Sequence, residues 1–246
     1  YISKGFDNIV GRYPPLIYHL AVVFSYASWL ETYDSIYFLI YFFAIIGVLI
    51  FYFLIRNFNK NVALISLPLA IIAFTLPASI GFAYGHWPSL LGQFFLIAFA
   101  WCVMNLELEK SYIMTAIIFS SIILSHTSEG VFALIFLAIF FIIKFINKNI
   151  KKSEIKNILI GIVISFIASL YYIIIFINTW AKSEAYSFIV EPIWQGNPGF
   201  YIGNFGILAI VMAAGLLFFL FKLRDMQVSI IFAFAMLISG FLNYIG

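Results

Sequence analysis

Long apolar runs dominate the chain, and short polar segments separate them. A helix that crosses a bilayer needs about 20 mostly apolar residues. Eight runs meet or nearly meet that length, namely residues 35–55, 62–80, 88–104, 112–126, 130–147, 156–178, 205–222 and 226–244. These runs do not alternate apolar and polar residues, as the strands of a membrane barrel do. The pattern therefore predicts an all-α, polytopic transmembrane bundle of about eight spans.

The segment 13–30 is apolar but short, and two interpretations of it remain open. It either spans the membrane or lies along the outer interface, and its proline pair and several aromatic residues favour an interfacial helix. We therefore expect residues 1–34 to form an external loop with an interfacial helix, and residues 35–246 to form the transmembrane domain. Because the chain starts without Met and ends directly after an apolar run, we also expect a fragment that is truncated at both ends.

The basic residues predict how the helices are oriented. Ten of the thirteen Lys and Arg residues fall in alternate loops, and the positive-inside rule makes these loops cytoplasmic. Only Lys4, Arg12 and Lys182 fall on the other side, which carries six acidic residues and all three histidines. The outer face is thus net acidic and holds every side chain that ordinarily titrates near neutral pH. We expect the functional face to be extracytoplasmic.

Composition excludes several classes of protein. Hydrophobic residues make up 65% of the chain and charged residues 9%, whereas a soluble domain carries about 25% charged residues. A soluble enzyme, a disordered segment and a nucleic-acid binder are therefore excluded. The single cysteine, Cys102, cannot form an internal disulfide. The expected surroundings are membrane lipid, with the oligomeric state left open.

The N-terminal sequence KGFDNIVGRYPPLIYHL places Asp7, Arg12 and His19 around Tyr13-Pro14-Pro15. This pattern, followed by a helical pair, resembles the first external loop of the GT-C membrane glycosyltransferases, polytopic enzymes that use lipid-phosphate-linked sugars. The stretch ASIGFAYGHWPSLLG ends the second helix of that pair, where the family often places its second functional loop. SHTSEG resembles a further external turn that carries a polar histidine.

The resemblance implies an enzyme of a prokaryotic plasma membrane that moves a sugar from a polyprenyl-phosphate-linked donor to an extracytoplasmic acceptor. A carboxylate would activate the acceptor, and cationic groups or a divalent metal ion would hold the departing phosphate; the sequence does not decide whether a metal is used. Asp7 is the candidate catalytic residue. The candidate substrate-binding residues are Arg12, Tyr13, His19, His86, His126, Glu129, Glu191 and Trp194.

This sequence departs from the family pattern at two places. The family's catalytic acid follows a first helix that is absent here, so Asp7 is alternatively a later acid of that loop or a solvated loop residue. The segment Gly85-His86-Trp87-Pro88 has no acidic residue, although the family often has one there. The loop 179–204 is also open to two interpretations, because its aromatic residues suit either sugar stacking or an interfacial belt.

Three other functions remain open. An O-antigen polymerase or ligase would be expected to carry arginines in its large external loop, and the loop 179–204 has none. A transporter would be expected to place ionisable residues near mid-bilayer, and the predicted spans contain almost none there. A non-enzymatic structural subunit of the membrane is the third alternative.

Overall fold

A computed structural model describes residues 14–57, 59–83, 85–146 and 148–182. The described residues form helices and no strand, which confirms the all-α prediction. The helices are α1 (Leu16–Ser28), α2 (Thr32–Arg56), α3 (Lys60–Ala83), α4 (Trp87–Met104), α5 (Ser111–Ser125), α6 (Thr127–Ile146), α7 (Lys152–Ala168) and α8 (Leu170–Lys182).

The number of spans differs from the prediction. Among the described residues, α2 and α4 are long and apolar enough to cross a membrane, and α7 with α8 makes a third span if the bent pair counts as one. The run 156–178 is bent by 62° between α7 and α8. Helix α5 has 15 residues and is about 22 Å long, shorter than the roughly 30 Å hydrocarbon core. The described residues thus support two or three spans and not eight, while 205–222 and 226–244 lie outside them.

The chain divides into two compact units. The first contains residues 1–133 and 150–183, and the second contains residues 134–149 and 184–246. The described part of the second unit is the later portion of α6 with Lys148 and Asn149. Within it the Lys144 ammonium lies 5.2 Å from the centre of the Phe140 ring, a cation–π contact. All the features below belong to the first unit.

Helix α1 shares an apolar core with α2 and α4. Its residues Ile17 and Ala21 are fully buried and belong to the same cluster as Ile36 and Leu39 of α2 and Leu91 of α4. The helix stops where Trp29 takes a left-handed conformation and donates its N–H to the Ser25 carbonyl. With 13 residues, α1 is about 20 Å long, too short to cross the hydrocarbon core unaided. Its interfacial placement stays a prediction.

The helix ends of the first unit fall into two groups. At one, which we call the imidazole end, the Tyr33 ring lies 5.2 Å from Phe82 and 6.0 Å from Trp87, and Ser89 bonds Glu129. At the other, the lysine end, Lys151 forms a hydrogen bond with Glu107, and Asn157 forms hydrogen bonds with both Leu106 and Ser111. Loops that the charge pattern assigns to one side thus lie together, as they must if successive helices run back and forth.

Small and polar residues hold α5 and α7 together as a parallel pair. The Asn157 amide donates to the Leu106 carbonyl at 2.9 Å, and one helical turn later Gly161 approaches Thr115. The Ser165 hydroxyl then reaches the Ala116 carbonyl at 3.0 Å. In lipid, where apolar side chains gain little by meeting each other, such small residues allow close backbone approach and hydrogen bonds between helices.

Replacing Gly161 with alanine should destabilise this pair. The new Cβ would lie 2.8 Å from Cβ and Cγ2 of Thr115 and 3.1 Å from the backbone oxygen of Tyr112, none of which is a flexible chain end. We expect a loss of about 1–3 kcal/mol, typical of overpacking. Thermal unfolding in detergent would measure it. Gly130→Ala, whose Cβ would meet its nearest neighbour at 3.9 Å, is the control; equal midpoints for the two variants would contradict the packing described here.

The ion pair at the lysine end predicts a pH dependence. The hydrogen bond from Lys151 to Glu107, 2.6 Å long, is the main reason why the pKa of Lys151 is raised above its ordinary value. A raised lysine pKa stabilises the fold below the unfolded-chain pKa of about 10.4, and this contribution disappears as the pH rises through the folded-state value.

Glu107→Gln should therefore lower the pKa of Lys151, which NMR of the labelled lysine side chain would measure. Any stability difference from the wild type should vanish at pH values above the Lys151 titration. Glu109→Gln is the matched control, because Glu109 is exposed in the same loop. An unchanged Lys151 titration in Glu107→Gln would show that the pair does not form.

Candidate functional site

A histidine and a glutamate meet where α5 gives way to α6. Helix α5 ends at Ser125, and His126 adopts an extended backbone whose N–H still donates to the Ile122 carbonyl. Helix α6 then begins, with Glu129 in its first turn. The break brings Nδ1 of His126 against Oε2 of Glu129. Sequence analysis named both residues as candidates, and the structure brings them together.

The two partners differ in exposure. The Glu129 side chain is 6% exposed, whereas that of His126 is 38% exposed. A buried carboxylate is costly unless it is paired and hydrogen-bonded, and charged groups near membrane depth are often functional. The pair thus consists of a buried carboxylate that holds an imidazole which remains partly open to the surroundings.

Helix α4 supplies the second partner of the carboxylate. The Ser89 hydroxyl lies 3.1 Å from Oε1 of Glu129, so each carboxylate oxygen has its own donor. The amide of Gln93, one turn further along α4, lies 3.4 Å from the Ser89 oxygen. Gln93, Ser89, Glu129 and His126 therefore form a chain of polar contacts that links α4 to the α5–α6 junction.

Gly92 provides the room that this chain needs. It is buried on α4 between Ser89 and Gln93, and a Cβ there would lie 3.1 Å from Cβ of His126 and 3.3 Å from Cγ and Cδ of Glu129. The backbone of α4 therefore forms the wall against which the glutamate side chain lies. Any larger residue must push both members of the pair away from α4.

Gly92→Ala should consequently destabilise the protein relative to Gly130→Ala. Both changes favour the helix by about 1 kcal/mol, but only the first displaces the buried carboxylate from Ser89. We expect Gly92→Ala to be the less stable variant by about 1–3 kcal/mol in thermal unfolding. If the two variants unfold at the same temperature, the contact between α4 and the pair is not tight.

The pair has a defined chemistry. An ionised carboxylate can only accept hydrogen bonds. Its bond with Nδ1 therefore favours the imidazole tautomer that carries the proton on this nitrogen. Nε2 is then the basic nitrogen of the ring. An imidazole oriented in this way by a carboxylate can accept a proton from a substrate hydroxyl, and in its protonated form it can contact a phosphate.

The other candidate residues fall into two groups. His19 is exposed on α1 and His86 is exposed at the start of α4, where its side chain makes no capping hydrogen bond. Asp7, Arg12, Tyr13, Glu191 and Trp194 lie outside the described residues, so their roles stay predictions.

The described residues contain no group of three or more His, Cys, Asp or Glu side chains that could hold a metal ion. His126 and Glu129 alone would leave at least half of a metal's coordination sphere to other ligands. The requirement for a divalent ion therefore remains open.

Sequence analysis missed Ser89, Gly92 and Gln93. They recur three and four residues apart in the otherwise apolar helix α4, and this spacing places them on one face. Such a small, polar stripe on an apolar helix was the available signal. The partner of the stripe is about 40 residues away in the sequence, so only the fold identifies it.

No family model, no curated protein and no solved structure matches the chain.

Proposed function

We propose that this protein is a membrane glycosyltransferase that moves a sugar from a polyprenyl-phosphate-linked donor to an acceptor on the extracytoplasmic face. The observation that carries the proposal is the pair formed by a buried Glu129 and a partly exposed His126 at one end of apolar helices. The resemblance of the N-terminal sequence to GT-C enzymes supplies the reaction class. The proposal also retains the polytopic topology, with the basic loops on the cytoplasmic side.

In the proposed reaction, Nε2 of His126 accepts the proton of an acceptor hydroxyl. The acceptor oxygen then forms a bond to the anomeric carbon of the donor sugar. The bond between that carbon and the phosphate oxygen breaks, and polyprenyl phosphate leaves with the electron pair. Glu129 keeps the ring oriented and stabilises the imidazolium that forms.

The position of the pair suits a lipid-linked donor. The helices around the pair carry many exposed apolar side chains, among them Phe38, Phe42 and Ile45 of α2 and Val131 of α6. Such surfaces accommodate lipid chains, whereas the pair lies at a helix end, where a headgroup would lie. A donor with its tail in the bilayer would thus present its phosphosugar at the depth of the pair.

The bend between α7 and α8 is the observation that favours a transporter instead. Transporters often bind their substrate where a spanning helix is broken, and the Ser169 hydroxyl at this bend is buried without a hydrogen-bond partner. However, the nearest residues in the sequence carry no charge, while the buried carboxylates Glu129 and Glu154 lie at helix starts. We therefore prefer the enzyme.

The proposal can be tested without knowledge of the acceptor. The purified full chain in nanodiscs would be given polyprenyl-phosphate mannose or glucose, and release of polyprenyl phosphate would be measured with membrane extract as the source of acceptors. His126→Ala should reduce the rate by at least about 100-fold, the contribution of a general base. Glu129→Gln should reduce it as well, because the neutral amide no longer stabilises the imidazolium that forms.

Glu109→Gln is the control, since Glu109 is an exposed acidic residue of the loop between α4 and α5 and has no part in the pair or in sugar binding. It should retain the wild-type rate. Absence of release by the wild type with both donors, or full activity of His126→Ala, would rule out the proposed function.

A further inference from the structure

Four aromatic rings from three helices form a continuous surface at the imidazole end. We call Tyr33 and Tyr37 of α2, Phe82 of α3 and Trp87 of α4 the aromatic wall. The Phe82 ring centre lies 5.2 Å from that of Tyr33, 5.0 Å from that of Tyr37 and 5.9 Å from that of Trp87. Tyr33 is 56% exposed and Tyr37 48%. The wall is thus built by packing but remains open on one side.

The wall differs from an ordinary interfacial belt. A belt tryptophan keeps its ring N–H for water and lipid headgroups. The indole N–H of Trp87 instead donates to the Phe82 carbonyl at 3.0 Å, and the Tyr33 and Tyr18 rings lie at its sides. Trp87 is therefore fixed in orientation before any ligand arrives. Trp29, at the end of α1, is 95% exposed and is the tryptophan that fits a belt.

The charge around the wall indicates what it can bind. Residues 14–37 and 82–90 contain no lysine or arginine, and besides tyrosines their ionisable side chains are those of Glu31, Asp34, His19 and His86, all of them exposed. A phosphate would find no lysine or arginine in these segments, whereas carboxylates accept hydrogen bonds from hydroxyl groups. An aromatic face with acceptors nearby suits a neutral, hydroxyl-rich ring whose C–H bonds can lie on the aromatic rings.

We infer that the aromatic wall binds a neutral sugar ring of the acceptor, and that the acceptor is accordingly a glycan. This inference rests on the proposed function and names the class of its acceptor. The donor, which carries a phosphate, would bind elsewhere. The wall thereby separates the two substrates by charge.

The distance from the wall to His126 sets a minimum size for the acceptor. Trp87 and Ser89 lie in the same first turn of α4, two residues apart and therefore on nearly opposite faces of the helix. Ser89 contacts Glu129, so the wall and the pair are separated by about the width of a helix, ~10 Å. A single sugar could not be held by the wall and react at the pair. The acceptor has more than one sugar, and the wall holds a ring away from the reacting one.

Binding of matched amphiphiles to the full chain in nanodiscs tests the inference without catalysis. The probes are octyl β-glucoside, octyl α-mannoside and octyl β-galactoside, compared with octyl tetraoxyethylene, which has the same tail without a sugar. Ligand-observed NMR titration would give each Kd. At least one glycoside should bind about tenfold more tightly than the sugar-free probe.

Tyr33→Leu and Trp87→Leu should abolish this preference. Tyr33→Phe, which keeps the ring, and Trp29→Leu, which removes an exposed tryptophan outside the wall, should retain it. Since Tyr33 is largely exposed, Tyr33→Leu decides the matter if Trp87→Leu fails to fold. Equal Kd values for all four probes, or an undiminished preference in Tyr33→Leu, would overturn the inference.

These outcomes are independent of the transfer assay. Sugar-selective binding at the wall without any release of polyprenyl phosphate would refute the proposed function and leave a sugar-binding surface. Release of polyprenyl phosphate without sugar-selective binding would support the enzyme and refute the glycan acceptor.

Discussion

The need to satisfy a buried carboxylate organises the imidazole end of this protein. The buried Glu129 carboxylate is stabilised by His126 and Ser89, each of which meets one of its oxygens. These two contacts require α5 to stop at Ser125 and α4 to approach closely at Gly92. The local break, the glycine and the hydroxyl together accommodate this single charge. An apolar residue at position 129 would make none of them necessary, and this is why we connect the charge with function.

Packing at the opposite end supports this arrangement. Asn157, Gly161 and Ser165 fix α7 along α5, and α5 carries the junction at which His126 lies. The geometry of the pair therefore depends on contacts that small and polar residues make with the first half of α5. Because such contacts are directional, they fix the rotation and register of α5 more narrowly than apolar side chains would.

The two proposals divide the imidazole end into a polar part and an aromatic part. His126 and Glu129 provide proton transfer, and the aromatic wall provides a neutral surface for a sugar ring. The first turn of α4 separates the parts, with Trp87 on one face and Ser89 on the other. The first turn of α4 thus holds the sugar-binding surface and the proton-transferring pair on opposite faces of one helix. Because about one helix width separates them, a glycan longer than one sugar fits the arrangement.

The sequence by itself determined the helical class and most helix positions and indicated a membrane as the surroundings, because long apolar runs without alternation can satisfy their backbone in lipid only as helices. It also named His126 and Glu129 among its nine candidate residues, since ionisable residues are rare in such a chain. It did not determine how many helices are long enough to span, because hydropathy does not reveal the bend at Ser169. Nor could it reveal that Ser89, Gly92 and the residues of the aromatic wall all lie at the imidazole end of the first unit. Each of these residues is ordinary in its own helix, and only the packing of α2, α3 and α4 and the contact of Glu129 with α4 give it its neighbours.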